Sequence, residues 1–138
     1  MSDQTFRGKV IALTGGGQGI GLATARILAS RGASLSLADS NPATLAEVEQ
    51  EFKEKNWPVH VETVDVRSRE SVDSWIDTTV KKFERLDGAA NIAGTVGRQI
   101  FKAPVVDIDD DDWNLVLAVN VTGNNTRIIP GMTWLNPP

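Results

Sequence analysis

The stretch that most constrains this fold runs from Lys9 to Arg31. A short apolar run, Val10 to Leu13, leads into Thr14, Gly15, Gly16, Gly17, Gln18, Gly19, Ile20 and Gly21, and Leu22 to Arg31 follow. That order predicts strand, glycine turn, helix. Glycine takes positive φ at no steric cost and lets backbone approach a ligand where a Cβ would intrude. A helix that starts at such a turn presents unpaired N–H groups and the positive end of its dipole to whatever lies ahead of it. The arrangement suits an anion, most often the pyrophosphate of a dinucleotide. It suits equally a glycine-rich connector that binds nothing, and the turn alone leaves both readings open.

The composition narrows the choice of partner. A chain of 138 residues, 41% of them hydrophobic, can bury the core of one domain. Its net charge of −4 and lack of any long Lys/Arg cluster argue against nucleic acid and anionic membrane, leaving a small molecule as the expected ligand. No apolar run is long enough to span a bilayer, and Met1 to Lys9 lack the apolar core of a signal peptide, so the expected compartment is the cytoplasm. With no Cys, disulfides, thiolate metal sites and Cys nucleophiles are excluded, and a reducing compartment fits. There is also no Tyr.

Beyond the first helix, Ser34 to Ala38 read as a second strand with Leu35 and Leu37 on one face, ending at Asp39. Asp39 lies eighteen residues past Gly21, where dinucleotide folds place the acid that binds the adenosine ribose hydroxyls. Its charge opposes a 2′-phosphate, and neither Ser40 nor Asn41 supplies a cation, so NAD is favoured, with NADP the alternative. Asp-Ser-Asn-Pro also starts helices well, which makes a plain turn or cap the competing role for Asp39.

Pro42 suits a first helical turn, and Leu45, Val48 and Phe52 recur at helical spacing. Trp57 and Pro58 end that helix, and a third strand takes in Val59, Val61, Thr63, Val64 and Val66, with Asp65 at its end. Ser68 can cap a third helix with Val72, Trp75, Ile76, Val80 and Phe83 on one face, which assigns Trp75 to the core. The lone His60 is expected on a strand face, with no catalytic or metal role. Leu86 to Gly94 form a fourth strand of small residues that leaves room at the crevice where open α/β sheets bind ligands.

After a loop over Gly97 to Val106, Asp107 and Asp109 to Asp112 crowd the start of a helix bearing Trp113, Val116, Leu117 and Asn120. Carboxylates on one turn diverge and oppose the positive helix end, so capping is expected and a metal site is not. The Asn-x-Thr acceptors at Asn120 and Asn124 read as coincidental without a secretory signal. Four strand-helix alternations predict an α/β, doubly wound parallel sheet ordered 3-2-1-4 through right-handed crossovers.

Gly15, Gly19 and Gly21 are spaced G-x-x-x-G-x-G, not G-x-G-x-x-G. With Thr14 ahead of it, this turn resembles the cofactor turn of the short-chain dehydrogenase/reductase family. From Gly8 to Gly123 the resemblance is continuous, with Thr14 to Gly21, Asp39, Asp65, Asn91 to Gly94 and Asn120 all in register. It implies a Rossmann-like fold and an NAD(P)-dependent oxidoreductase that interconverts alcohols and ketones.

By the same resemblance, Thr14, Gly15, Gly17, Gln18, Gly19, Ile20 and Gly21 form the cofactor turn. Asp65 meets the adenine amino group and Val66 covers the ring, a plain polar strand end being the competing role for the pair. Asn91 steadies the central strands, while Ala93 and Gly94 run beside the nicotinamide-side ribose. Ile92 stands where the family carries a second Asn, so a polar group is lost there. Asn120 matches the helix Asn that holds a water in the proton relay, and it is the one catalytic position represented. Relatives with a similar Ala-Ala-Asn-x-Ala-Gly strand often tailor small natural products.

The resemblance degrades after Gly123. Residues 8–123 are expected to form a partial dinucleotide-binding domain, and 124–138 a divergent tail in which Arg127, Pro130 and Met132 echo the family and two prolines close the chain. The family's next features, a strand bearing Ser and a helix with Tyr-x-x-x-Lys, are missing. There Tyr moves the alcohol proton, and Lys lowers its pKa and grips the nicotinamide ribose. Lys81 and Lys82 are expected to face solvent and Lys102 to lie in a loop, so none replaces that Lys. The expectation is a cofactor-binding half, truncated after about four strand-helix units and inactive alone, which meets substrate only if a catalytic half is supplied. The alternatives are a non-catalytic dinucleotide-binding or interaction module, and a truncated product with no role of its own. An uncovered fourth strand would favour self-association or pairing with a full-length relative.

Overall fold

A computed structural model describes residues 4–123; the expected tail, with Arg127, Pro130 and Met132, lies outside the described residues. The elements run β1 (Val10–Thr14), α1 (Gly19–Ser30), β2 (Ser34–Asp39), α2 (Pro42–Glu54), β3 (Val59–Thr63), α3 (Arg69–Phe83), β4 (Gly88–Asn91) and α4 (Asp110–Leu117). A 3-10 turn, Val105–Asp107, precedes α4, and a π-helical turn, Ala118–Gly123, follows it. The four strands form one sheet in the order β3-β2-β1-β4, every pairing parallel. This is the predicted Rossmann-like order, and it brings the carboxyl ends of all four strands to one rim.

Alternation along the strands divides the core between the two sheet faces. Leu13, Leu35 and Leu37 pack with Ala25 and Ala29 of α1 and with Leu45, Val48 and Phe52 of α2. Val10, Ala12 and Ala38 pack with Val72, Trp75 and Ile76 of α3. Trp75 is fully buried, as its place in the helical pattern predicts. Its Nε1–H donates to Ser36 Oγ (2.8 Å), Ser36 and Thr79 hydroxyls pair at 2.6 Å, and Thr79 Oγ1 donates to Trp75 O (2.8 Å). This closed polar chain satisfies every buried group it contains and pins α3 to β2.

The expected cap of α3 forms, Ser68 Oγ accepting from Ser71 N (3.2 Å), and α2 is capped by Asn41, whose Oδ1 accepts from Ala43 N (3.0 Å) with Pro42 in the first turn. His60 lies on the strand face beside Glu62, at 3.2 Å.

Three details differ from the sequence reading. The third strand stops at Thr63, because after Val64 N donates to Asp39 O (2.9 Å) the chain turns, Ser68 N bonding to Asp65 O. The fourth strand is Gly88–Asn91, shorter than Leu86 to Gly94, because Ile92 and Ala93 turn their N–H groups onto the Thr14 side chain. Lys82 is not simply solvated: its Nζ donates to Val59 O (3.0 Å) and lies over the Phe83 ring.

Candidate functional site

The rim above β1, β2 and β4 is shaped by the glycine turn. Gly15 has φ +73°, and a Cβ there would stand 2.9 Å from the Ala93 backbone, so β1 and the segment after β4 approach at van der Waals limit. At Gly17 a Cβ would lie 2.5 Å from Thr44 Oγ1 and 2.9 Å from Asp39 Oδ2. At Gly21 it would overlap the Gly15 carbonyl oxygen. Gly19 has open space around it but φ +55°, a conformation costly for other residues. Gly16 N–H donates to Ala38 O (3.1 Å) and Gly17 N–H to Asp39 Oδ2 (2.9 Å), which fixes the turn against the end of β2.

Unlike α2 and α3, α1 opens with no side-chain cap, and, like α2 but not α3, it carries no acid in its first turn. Its first N–H groups and its dipole therefore face the rim without an internal counter-charge. In front lies a cleft of about 700 Å³, within the size range of small-molecule sites.

Nine of the residues singled out in the sequence line this cleft. Gly15, Gln18, Ile20 and Gly21 form one wall, Asp39 the end of β2, Asp65 and Val66 the turn after β3, and Ala93 and Gly94 the stretch after β4. Five others stand behind it. Thr14 is 3% exposed, and its Oγ1 accepts from Ile92 N and Ala93 N, both at 3.2 Å, so it ties β1 to the end of β4. Gly17 holds Asp39, Gly19 starts α1, and Asn91 closes β4 opposite Thr14. Asn120, in the π-helical turn, accepts from Thr95 N at Oδ1 (2.8 Å) and donates from Nδ2 to Thr95 O (2.9 Å), clasping the loop beside Gly94.

Asp39 makes the turn contact that was one of its two expected roles, and it stands where the other would require it. Its Oδ1 accepts from Asn41 N (3.1 Å), a turn bond at the start of α2, while the residue also lines the cleft. Asp65 is engaged by Arg67, whose side-chain hydrogen bonds hold its carboxyl below the usual carboxylate range.

Sequence reasoning did not find Arg67, Thr63, Ser40, Thr95 or Val119 on the cleft wall. The parallel strand order carried the available signal, since residues just past the end of each strand share one rim. It also treated the acidic cluster as one cap. Asp109 is that cap, accepting from Asp112 N (2.7 Å). Asp112 itself is 2% exposed and accepts from Arg98 N (2.7 Å) and Gln99 N (3.0 Å). Those backbone donors lower its pKa, and the residue buckles the 97–99 loop onto α4. Among the described residues no group of three or more His, Asp or Glu converges to hold a metal, and no described helix is long and apolar enough to cross a membrane.

Comparison with known proteins gives a consistent picture. The family model described as short chain dehydrogenase matches residues 9–127. The chain is 50% identical over 125 residues to the short-chain dehydrogenase/reductase aba4 of Botryotinia fuckeliana, covering 89% of this chain and 48% of that protein. It is 42% identical over 120 residues to the chanoclavine-I dehydrogenase easD of Arthroderma benhamiae, covering 83% and 49%. The fold matches NAD+-bound xylitol dehydrogenase with a TM-score of 0.80 and 40% identity, over 86% of this chain and 45% of that one. The chain thus spans about half the length of the curated relatives it matches. With its glycine turn, sheet order and matched length in agreement, the chain belongs to the short-chain dehydrogenase family.

Proposed function

We propose that this chain is the cofactor-binding half of an NAD(P)-dependent oxidoreductase acting on alcohols and ketones, and that it takes NAD in preference to NADP. The observation that carries the reading is the uncapped start of α1 behind a glycine turn that a Cβ would fill at Gly15, Gly17 and Gly21. A pyrophosphate fits that cradle by chemistry, because backbone N–H groups and a helix dipole supply the donors without a competing side chain.

Asp39 then receives ribose hydroxyls and repels a 2′-phosphate, which favours NAD. Asp65 and Val66 take the adenine end, and Ala93 and Gly94 flank the nicotinamide end. Thr14, Gly17, Gly19 and Asn91 shape the cradle from behind. The chemistry such a cofactor supplies is hydride transfer to or from a carbonyl carbon.

The accompanying proton needs its own carrier, and the 138 residues contain no Tyr. Asn120 can hold the loop after β4 but has no group that titrates near neutrality. The isolated chain is therefore inactive on alcohols and engages substrate only with a catalytic half supplied. A role in tailoring small natural products draws support from the chanoclavine-I dehydrogenase relative.

A second reading, a pairing module, rests on β4. Among the described strands it pairs with β1 alone, as the last strand of the order β3-β2-β1-β4. Under that reading the chain would pair with a second copy or with a full-length relative by adding to the sheet.

The test is a fluorescence titration with NADH, using Gly19→Asp as control. Gly19 has open space around it at φ +55°, and Asp is among the residues that tolerate that conformation best, so the variant adds a negative charge at the helix start without steric overlap, and circular dichroism of the variant checks that the backbone strain leaves it folded. Saturable enhancement in the parent and its loss in the variant are expected. Equal signals from both proteins would remove the cofactor assignment.

A further inference from the structure

The acceptor that the cleft offers just past the end of β3 is already engaged. Asp65 Oδ1 accepts from Arg67 N and Arg67 Nε, both at 2.9 Å, and Oδ2 accepts from Arg67 Nε (3.1 Å) and Nη2 (2.7 Å). A carboxylate has about four lone-pair sites, so one residue two positions away covers both oxygens. Asp65 and Arg67 both line the cleft, as do Val64 and Val66. An acceptor in a cleft that also carries apolar side chains suits a flat heterocycle with an exocyclic amino donor. Such a ring must compete with the guanidinium for the same carboxylate oxygens.

We infer that Arg67 is an internal competitor for the adenine site: cofactor binding swings its guanidinium off Asp65, and Arg67 thereby sets affinity and base selectivity at that end of the cleft. The inference rests on the cofactor reading given above. Its size follows from exposure. The side chains of Arg67 and Asp65 are 49% and 45% exposed, and exposed pairs are weak, so releasing the competitor should strengthen binding by about two- to fivefold. The pair is also screened by salt, which predicts that adenosine binding to the parent tightens as ionic strength rises.

Adenosine and inosine are the probes, because neither carries a phosphate whose attraction to Arg67 would mask the competition. Binding is followed by NMR titration of the 138-residue chain, together with the Arg67 side-chain Nε–H resonance, which reports release directly. Arg67→Ala should bind adenosine two- to fivefold more tightly than the parent, with no such gain for inosine, which offers an oxo group in place of the amino donor. Arg67→Lys should fall between, since an ammonium cannot grip both oxygens in a planar fork. Asp65→Asn should erase the difference between Arg and Ala at position 67. In the parent, adenosine should perturb the Arg67 Nε–H signal.

Unchanged or weaker adenosine binding in Arg67→Ala, in a chain that still takes NADH in a Gly19-dependent manner, would overturn the competition and leave the cofactor reading standing. Failure of the parent and of Arg67→Ala to bind either NADH or adenosine would overturn both.

Discussion

Replacing Thr14 by valine tests how the crevice is held together. The two side chains have nearly the same shape, so the substitution removes one hydroxyl and little else. Thr14 is 3% exposed, and its Oγ1 accepts from Ile92 N and Ala93 N, each at 3.2 Å. A hydrogen bond of ordinary geometry contributes about 0.5–1.5 kcal/mol net, and 3.2 Å is at the long end of the range, so losing this shared acceptor should cost about 1–2 kcal/mol. Urea unfolding followed by tryptophan emission measures it, because Trp75 is buried against β2. With a urea dependence of about 2 kcal/mol/M, the midpoint should fall by roughly 0.5–1 M. The same loss loosens the Gly15–Ala93 approach, so NADH affinity should drop in parallel. A midpoint unmoved within about 0.2 M, with unchanged affinity, would show that Thr14 does not hold the rim.

Further outcomes follow from other parts of the molecule. Asp39→Asn keeps an acceptor for Gly17 N–H while removing the charge, and should raise affinity for NADP relative to NAD roughly tenfold in competition binding. Ser36→Ala takes the acceptor from the buried Trp75 Nε1–H and should cost about 1–3 kcal/mol in thermal or urea unfolding. Asp87 is held at about 2 by Arg85, with help from Val10 N–H and Lys9, and Glu51 is held at about 2 by Arg26 and Lys55. Their folded pKa values lie below the unfolded ones, so the stability they contribute is complete above about pH 5 and is lost as pH falls toward 2. Asp87→Asn should flatten that acid limb in a series of unfolding curves across pH.

Much of the fold was legible because its signals are local and periodic. Leu45, Val48 and Phe52 mark one helix face and Val72, Trp75 and Ile76 another, and both groups pack where the pattern predicts. Spacing then orders the sheet, since short strands alternating with helices leave few parallel arrangements. The candidate site was legible where backbone geometry dictates residue type, as at Gly15 and Gly21. It was illegible where a side chain's partner is set by a turn. Arg67 looks like an ordinary exposed residue until the chain past β3 folds it onto Asp65. Asp112 is one acid among five until the 97–99 loop returns to it. Thr14 sat within the right motif, but its work is to join two strands, and only the β1–β4 pairing shows that.

The central claim is that the rim of this sheet, led by the uncapped start of α1, is a dinucleotide site. Amide NMR of the chain titrated with NAD tests it residue by residue. The account predicts saturable shifts at Gly15 to Gly21, Asp39, Asp65 to Arg67 and Ala93 to Thr95, with the outward face of α3 at Arg69, Asp73 and Asp77 unmoved. No saturable shift, or shifts confined to that α3 face, would contradict it.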